Sequence, residues 1–229
     1  DSGTDGLNKK WWDSESQSNW QDGFCRSALL LQDQKWLKKA GRYVEEILNT
    51  QDDDGYMGIY TSELRFQHES ENGELWAQST LFRVLLGYYE ATKEENVFQA
   101  VRKAAERVMS GYPKDSSRPF CVEKSGSGHC HGVTISESFF RLYQLTGEKK
   151  YAEYALWLYE DFSSWPLGEG TLKSGNIADT FYRFYDHGVH TYEQIRTVII
   201  AAEQKEDYKK LLDLLFVRLP YFQTPSGGP

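Results

Sequence analysis

An amphipathic helical pattern that recurs four times is the strongest constraint on how this chain folds. Trp36, Leu37, Ala40, Val44, Ile47 and Leu48 keep the three-to-four-residue spacing that lines apolar side chains along one face of a helix. Val97, Phe98, Val101, Ala105, Val108 and Met109 repeat it. So do Tyr151, Ala152, Ala155, Tyr159 and Phe162, and then Tyr208, Leu212, Phe216 and Leu219. The copies start 61, 54 and 57 residues apart, which is the scale of a stacked or closed array. A second amphipathic segment precedes each copy, at 20–31, 74–91, 132–145 and 189–202. Short polar turns join the two members of each pair: QDQK, TKEEN, TGEKK and EQKED. Links this short predict antiparallel helices.

Between pairs the links are longer, at 50–72, 110–131 and 163–188, and rich in Gly, Ser, Pro, His and aromatic residues. One end of the array therefore carries tight turns and the other long loops, the usual place for a site on a rigid scaffold. No run alternates β-branched with polar residues. The expectation is an all-α chain of four consecutive helical hairpins, one domain over 1–229 with an N-terminal arm at 1–17. Such hairpins form either an open solenoid or part of a closed α/α toroid, in which six hairpins make an inner and an outer ring of helices.

Composition narrows the partners. The formal net charge of −8 offers no basic stripe to neutralise phosphates, so a nucleic-acid partner is not expected and a polyanionic one is disfavoured. No apolar run is long enough to span a membrane, and the opening DSGTDGLNKK has no apolar signal-peptide core. Aromatic residues make up 15% of the chain, which suits both a cleft that stacks on sugar rings and an ordinary large core. Three cysteines, Cys25, Cys121 and Cys130, are no disulfide framework, although one Cys121–Cys130 bond stays open, and with it the compartment.

Four stretches carry candidate chemistry. In QDDDGYMGIY (51–60) the aspartates and Gly55 make a helix stop and a turn, while Tyr56 and Tyr60 are expected at the mouth of a cleft, with Asp54 a turn former and a sugar ligand. In WWDSESQSNWQDGF (11–24), Trp20 and Asp22 pair a stacking ring with a carboxylate, and Asp22 would serve equally as a helix N-cap. In GSGHCHG (126–132), His129 and His131 are read as binders of sugar hydroxyls; their spacing around Cys130 matches no zinc pattern, so no metal is assigned. In DHGVHTYEQIR (186–196), His187, His190 and Glu193 recur every three residues on one helical face. A histidine there could transfer a proton, oriented by Asp186 or Glu193, and Asp186 could instead cap the helix. Asp186, His187 and Glu193 are the catalytic candidates, and Glu74 joins the binding set. For a two-carboxylate mechanism the pool is Asp22, Asp54, Glu74, Asp186 and Glu193.

In order along the chain, QDDDGYMGIY, GELWAQSTLFRVLLGYYEATKEE, GHCHGVTISESFFRLYQLTGEKKYAEYA and DHGVHTYEQIRT resemble the β-L-arabinofuranosidase family of glycoside hydrolases, family 127 and its relatives. The phrase RLYQLTGEKKYAEYA is the most specific, and the likeness runs from about Trp11 to the end. The resemblance implies an (α/α)6 barrel, of which this chain would supply four of six hairpins and which would be incomplete at the C-terminus. It places family histidines at His131, with one residue of slip, and at His187. Ser79 and Thr80 stand where the family carries Gly-His. Characterised members use a zinc-bound cysteine as nucleophile and a glutamate as acid, both after a stretch like the TPSGG of 224–228. None of the three cysteines maps onto them, so the resemblance implies no cofactor in this chain and zinc in the full-length protein.

The expected function is thus part of a glycosidase barrel acting on arabinofuranosides or related glycan linkages. A non-catalytic toroid module that binds carbohydrate or protein is the alternative. An unsaturated uronyl hydrolase or polysaccharide lyase is a second, against which the acidic balance argues. The expected partners are carbohydrate and the remainder of the barrel, with no nucleic acid and no membrane. The residues leave the compartment unknown, and the resemblance alone suggests a periplasmic or extracellular one.

Overall fold

The computed structural model describes residues 12–67, 73–122 and 130–223, with side chains from Gln17 onward. No strand occurs among them, and their long helices form four hairpins in series. The hairpins are α1 (Trp12–Leu31) with α2 (Gln34–Leu48), α3 (Glu74–Thr92) with α4 (Glu95–Gly111), α5 (Ile135–Thr146) with α6 (Lys149–Ser164), and α8 (Gly188–Gln204) with α9 (Glu206–Arg218). A short helix, α7 (Ser174–Ala178), lies in the loop before the last pair. The four polar turns read from the sequence are the four hairpin bends. The described residues up to Ser117 form one compact unit and those from Arg118 another.

In the first unit α1 packs on α3. Its buried positions, Ser18, Cys25 and Ala28, are small, which lets the α3 backbone come close. Helix α3 is buried on nearly every side, from Glu74 to Thr80 and on to Tyr88, and its apolar residues are the centre of this unit. Helices α2 and α4 bury one stripe each: Ala40, Val44 and Ile47 on α2, and Val97, Phe98, Val101, Ala104, Ala105 and Val108 on α4. Asp33 caps α2 by accepting from the Lys35 and Trp36 amides at 2.9 and 3.3 Å. In the second unit Phe139 of α5 meets Tyr151 and Tyr154 of α6, at 6.4 and 4.6 Å between ring centroids, and Leu142 of α5 and Leu158 of α6 are fully buried. Gly147 ends α5 at φ +75°, its N–H returning to the Tyr143 carbonyl at 2.7 Å.

Several local expectations need correction. Helix α1 begins at Trp12, so residues 12–17 are its first turns rather than part of an arm. Asp22 therefore lies in mid-helix and caps nothing. Trp36 is turned outward against Phe24 rather than into the core. On α9 the buried side is Leu215 and Arg218, continued by Leu219 just after the helix, while Phe216 is 52% exposed. Arg218 decides that rotation: its guanidinium donates to the carbonyls of Asn176, Ile177 and Tyr182. All three cysteines are free thiols, and burial pushes that of Cys25 up to about 11.

Candidate functional site

The first long loop folds inward. Gly55 sits at φ +95°, where an added Cβ would lie 2.9 Å from the Lys103 carbonyl oxygen of α4, so only glycine fits the bend. Asp54 builds the turn: Oδ1 accepts from the Tyr56 amide at 2.9 Å and Oδ2 pairs with Arg107 at 2.7 Å. Those bonds hold its carboxyl below the usual range. Tyr56 and Tyr60 are only 2% and 5% exposed, so they do not line a cleft mouth. Both hydroxyls serve the start of α3 instead. The Tyr56 hydroxyl donates to Glu74 Oε1 at 3.0 Å, and the Tyr60 hydroxyl oxygen accepts the Gly73 amide at 3.2 Å. Glu74 Oε2 takes the Phe66 amide at 2.8 Å and the Tyr112 hydroxyl at 3.0 Å. Glu74 is 0% exposed, and burial outweighs these three donors to raise its pKa. The group is a latch between loop and helix, with no face turned to a ligand.

Asp22 is likewise committed, to Arg26 at 2.7 Å and to Arg83 at 3.2 Å. Beside it on α1, Trp20 is 80% exposed and free to stack on a ring. His129 lies outside the described residues.

The residues that do converge belong to the second unit. His131 leads into a 3₁₀ turn, Gly132–Thr134, which sets it at the entry to α5. His190 stands in the first turn of α8, with His187 just before that helix, and their rings are 4.4 Å apart between centroids. The partner of His190 is neither Asp186 nor Glu193. It is Glu169, whose Oε2 lies 2.9 Å from His190 Nδ1 and 3.7 Å from His131 Nε2. Sequence spacing could not find Glu169, because it stands on an irregular loop 21 residues before His190. His131 is 0% exposed; burial, then His190 and His187, push its pKa down to about 3, so it stays neutral.

The loop that presents Glu169 is pinned on both sides of it. Lys173, buried, donates its ammonium to the Trp165 and Leu167 carbonyls at 2.7 and 2.6 Å. Asp186 Oδ2 accepts the amides of Gly170 and Thr171 at 2.8 and 2.5 Å and the Thr171 hydroxyl at 2.6 Å. Asn176 adds a bond to the Gly170 carbonyl at 2.7 Å. Asp186 thus fastens the loop instead of capping α8; the capping position belongs to His187. Glu193 is half-buried one turn further along α8, where it lines a shallow hollow with Tyr192 and Arg196.

This arrangement offers three imidazoles and one carboxylate in a fixed geometry. Such a set can hold a pair of hydroxyls, the carboxylate accepting and the ring nitrogens accepting or donating by tautomer.

Comparison with known proteins gives a family model, β-L-arabinofuranosidase, GH127 catalytic domain, that matches residues 3–209. No curated protein sequence matches. Among solved structures, a GH127 β-L-arabinofuranosidase from Geobacillus stearothermophilus T6 is similar at a TM-score of 0.65 and 15% identity, over 90% of this chain and 35% of that one. This chain therefore spans about a third of that protein's length. At that identity the likeness speaks for the fold, an all-α architecture of the α/α-toroid type.

Proposed function

Because this chain belongs to the GH127 β-L-arabinofuranosidase catalytic-domain family, we propose that it supplies the sugar-binding wall of a glycosidase acting on arabinofuranosides or closely related glycan linkages. The observation that carries this reading is the family match over 3–209. The grouping of His131, Glu169, His187 and His190 supports it as the place of contact. His187, exposed at the rim of this group, would take a sugar hydroxyl, and Trp20 would stack on a ring elsewhere.

The zinc that the family resemblance implies does not fit the cysteines here. Cys25 and Cys130 are buried, Cys121 sits against Asp161 and Ser164, and no cysteine joins a cluster of ligating groups among the described residues. No step of the proposed chemistry is routed through that metal.

A second reading, sugar binding without turnover by this chain alone, is favoured by one observation. Asp22, Asp54, Glu74 and Asp186 are all engaged in internal bonds, which leaves Glu193 alone of the five-carboxylate pool without a side-chain partner of that kind. Aryl α- and β-L-arabinofuranosides, assayed with zinc and with a chelator, separate the readings. Turnover by the whole protein with binding alone by this chain supports both parts of the proposal. No turnover by the whole protein under either condition overturns the arabinofuranosidase assignment. Unchanged sugar affinity in His187→Ala removes that residue from the site.

A further inference from the structure

We propose that His131, Glu169 and His190 form a binding site for a divalent first-row metal ion of the zinc class, built wholly from this chain and distinct in its ligands from any cysteine site. The inference rests on the geometry of these three residues and stands independently of the glycosidase reading.

Each of the three offers one ligand atom, and the atoms lie within 4.8 Å of one another. Two donors bound tetrahedrally at about 2.1 Å from a zinc ion stand roughly 3.4 Å apart. The observed separations from Glu169 Oε2, 2.9 Å to His190 Nδ1 and 3.7 Å to His131 Nε2, bracket that distance. A shared ion would account for nitrogens and carboxylate turned toward one point.

The donor chemistry is selective. Two imidazoles with one carboxylate is a set that zinc and its first-row neighbours accept, while magnesium and calcium prefer oxygen alone. It leaves a coordination position for water or another ligand. The surroundings supply what such a site needs beyond its donors. Asp186 and Lys173 fix the loop on either side of Glu169, so the carboxylate is presented without having to be ordered on binding.

The test uses the chain stripped with a chelator and titrated calorimetrically with zinc chloride alone. One ion per chain is expected. Glu169→Gln and His190→Gln should each weaken binding by at least about 10-fold, the loss produced even by the outer partners of a metal. Glu206→Gln, a surface change on α9, should not. Circular dichroism confirms that each variant is folded. Where a variant does not fold, cobalt(II) gives a positive readout: His190→Cys should add a sulfur-to-cobalt charge-transfer band that the parent chain lacks. Absence of saturable zinc uptake overturns the proposal. So does uptake that both Gln variants leave unchanged, or a His190→Cys variant that takes up cobalt without the new band.

Discussion

At the scale of single residues, burial reassigns the groups that carry charge. Glu74 looked like a sugar ligand at a helix start, yet it is sealed beneath two tyrosines and a loop amide. Its raised pKa has a stability consequence of definite sign. A folded-state value above the unfolded one contributes stability that is complete below about pH 4.3 and lost as pH rises through the folded value. The parent chain should therefore lose stability relative to Glu74→Gln as pH climbs through that window, read from urea midpoints; parallel curves would count against the burial argument. Gly55 makes a second prediction. Alanine there needs both a positive φ and room already taken by Lys103, so Gly55→Ala should cost about 1–3 kcal/mol in equilibrium unfolding.

At the scale of elements, the loops between hairpins are tied down by charged side chains, and this decides where the candidate site is. The 165–173 loop is the clearest instance. Asp186→Ala should cost about 2–4 kcal/mol, since it removes an ionised acceptor from three donors. The same change should weaken whatever binds Glu169, and a wild-type affinity in the folded variant would show that the clamp does not position that carboxylate. Helix α9 follows the same rule. Its apolar periodicity suggested Phe216 on the inside, but Arg218 and its three carbonyl partners turn the helix the other way. A hydrophobic pattern places a helix face only when no buried polar anchor competes with it.

At the scale of the whole molecule, the acidic balance acts on any charged ligand, wherever it binds. With a net charge of −8, a neutral arabinofuranoside should bind better than a sugar of the same size bearing a uronate. The gap should shrink as salt shortens the screening length to about 8 Å at physiological ionic strength. Calorimetry with the two ligands at low and physiological salt measures it, and a uronate preferred at both would revive the uronyl hydrolase reading.

The sequence by itself determined the helices, their pairing and the family. Apolar periodicity and polar turns are local, and the four bends fall where QDQK, TKEEN, TGEKK and EQKED stand. It also placed His131, His187 and His190 among the candidates. Only the tertiary structure decided which carboxylate serves them. Glu169 is brought to His190 across 21 residues of irregular loop, held by Asp186 and Lys173, and no periodicity encodes such a meeting. The same limit hid the fate of Tyr56 and Tyr60. An aromatic ring beside a turn reads identically in sequence whether it faces solvent or a buried glutamate, because burial belongs to the packed chain and not to the residue.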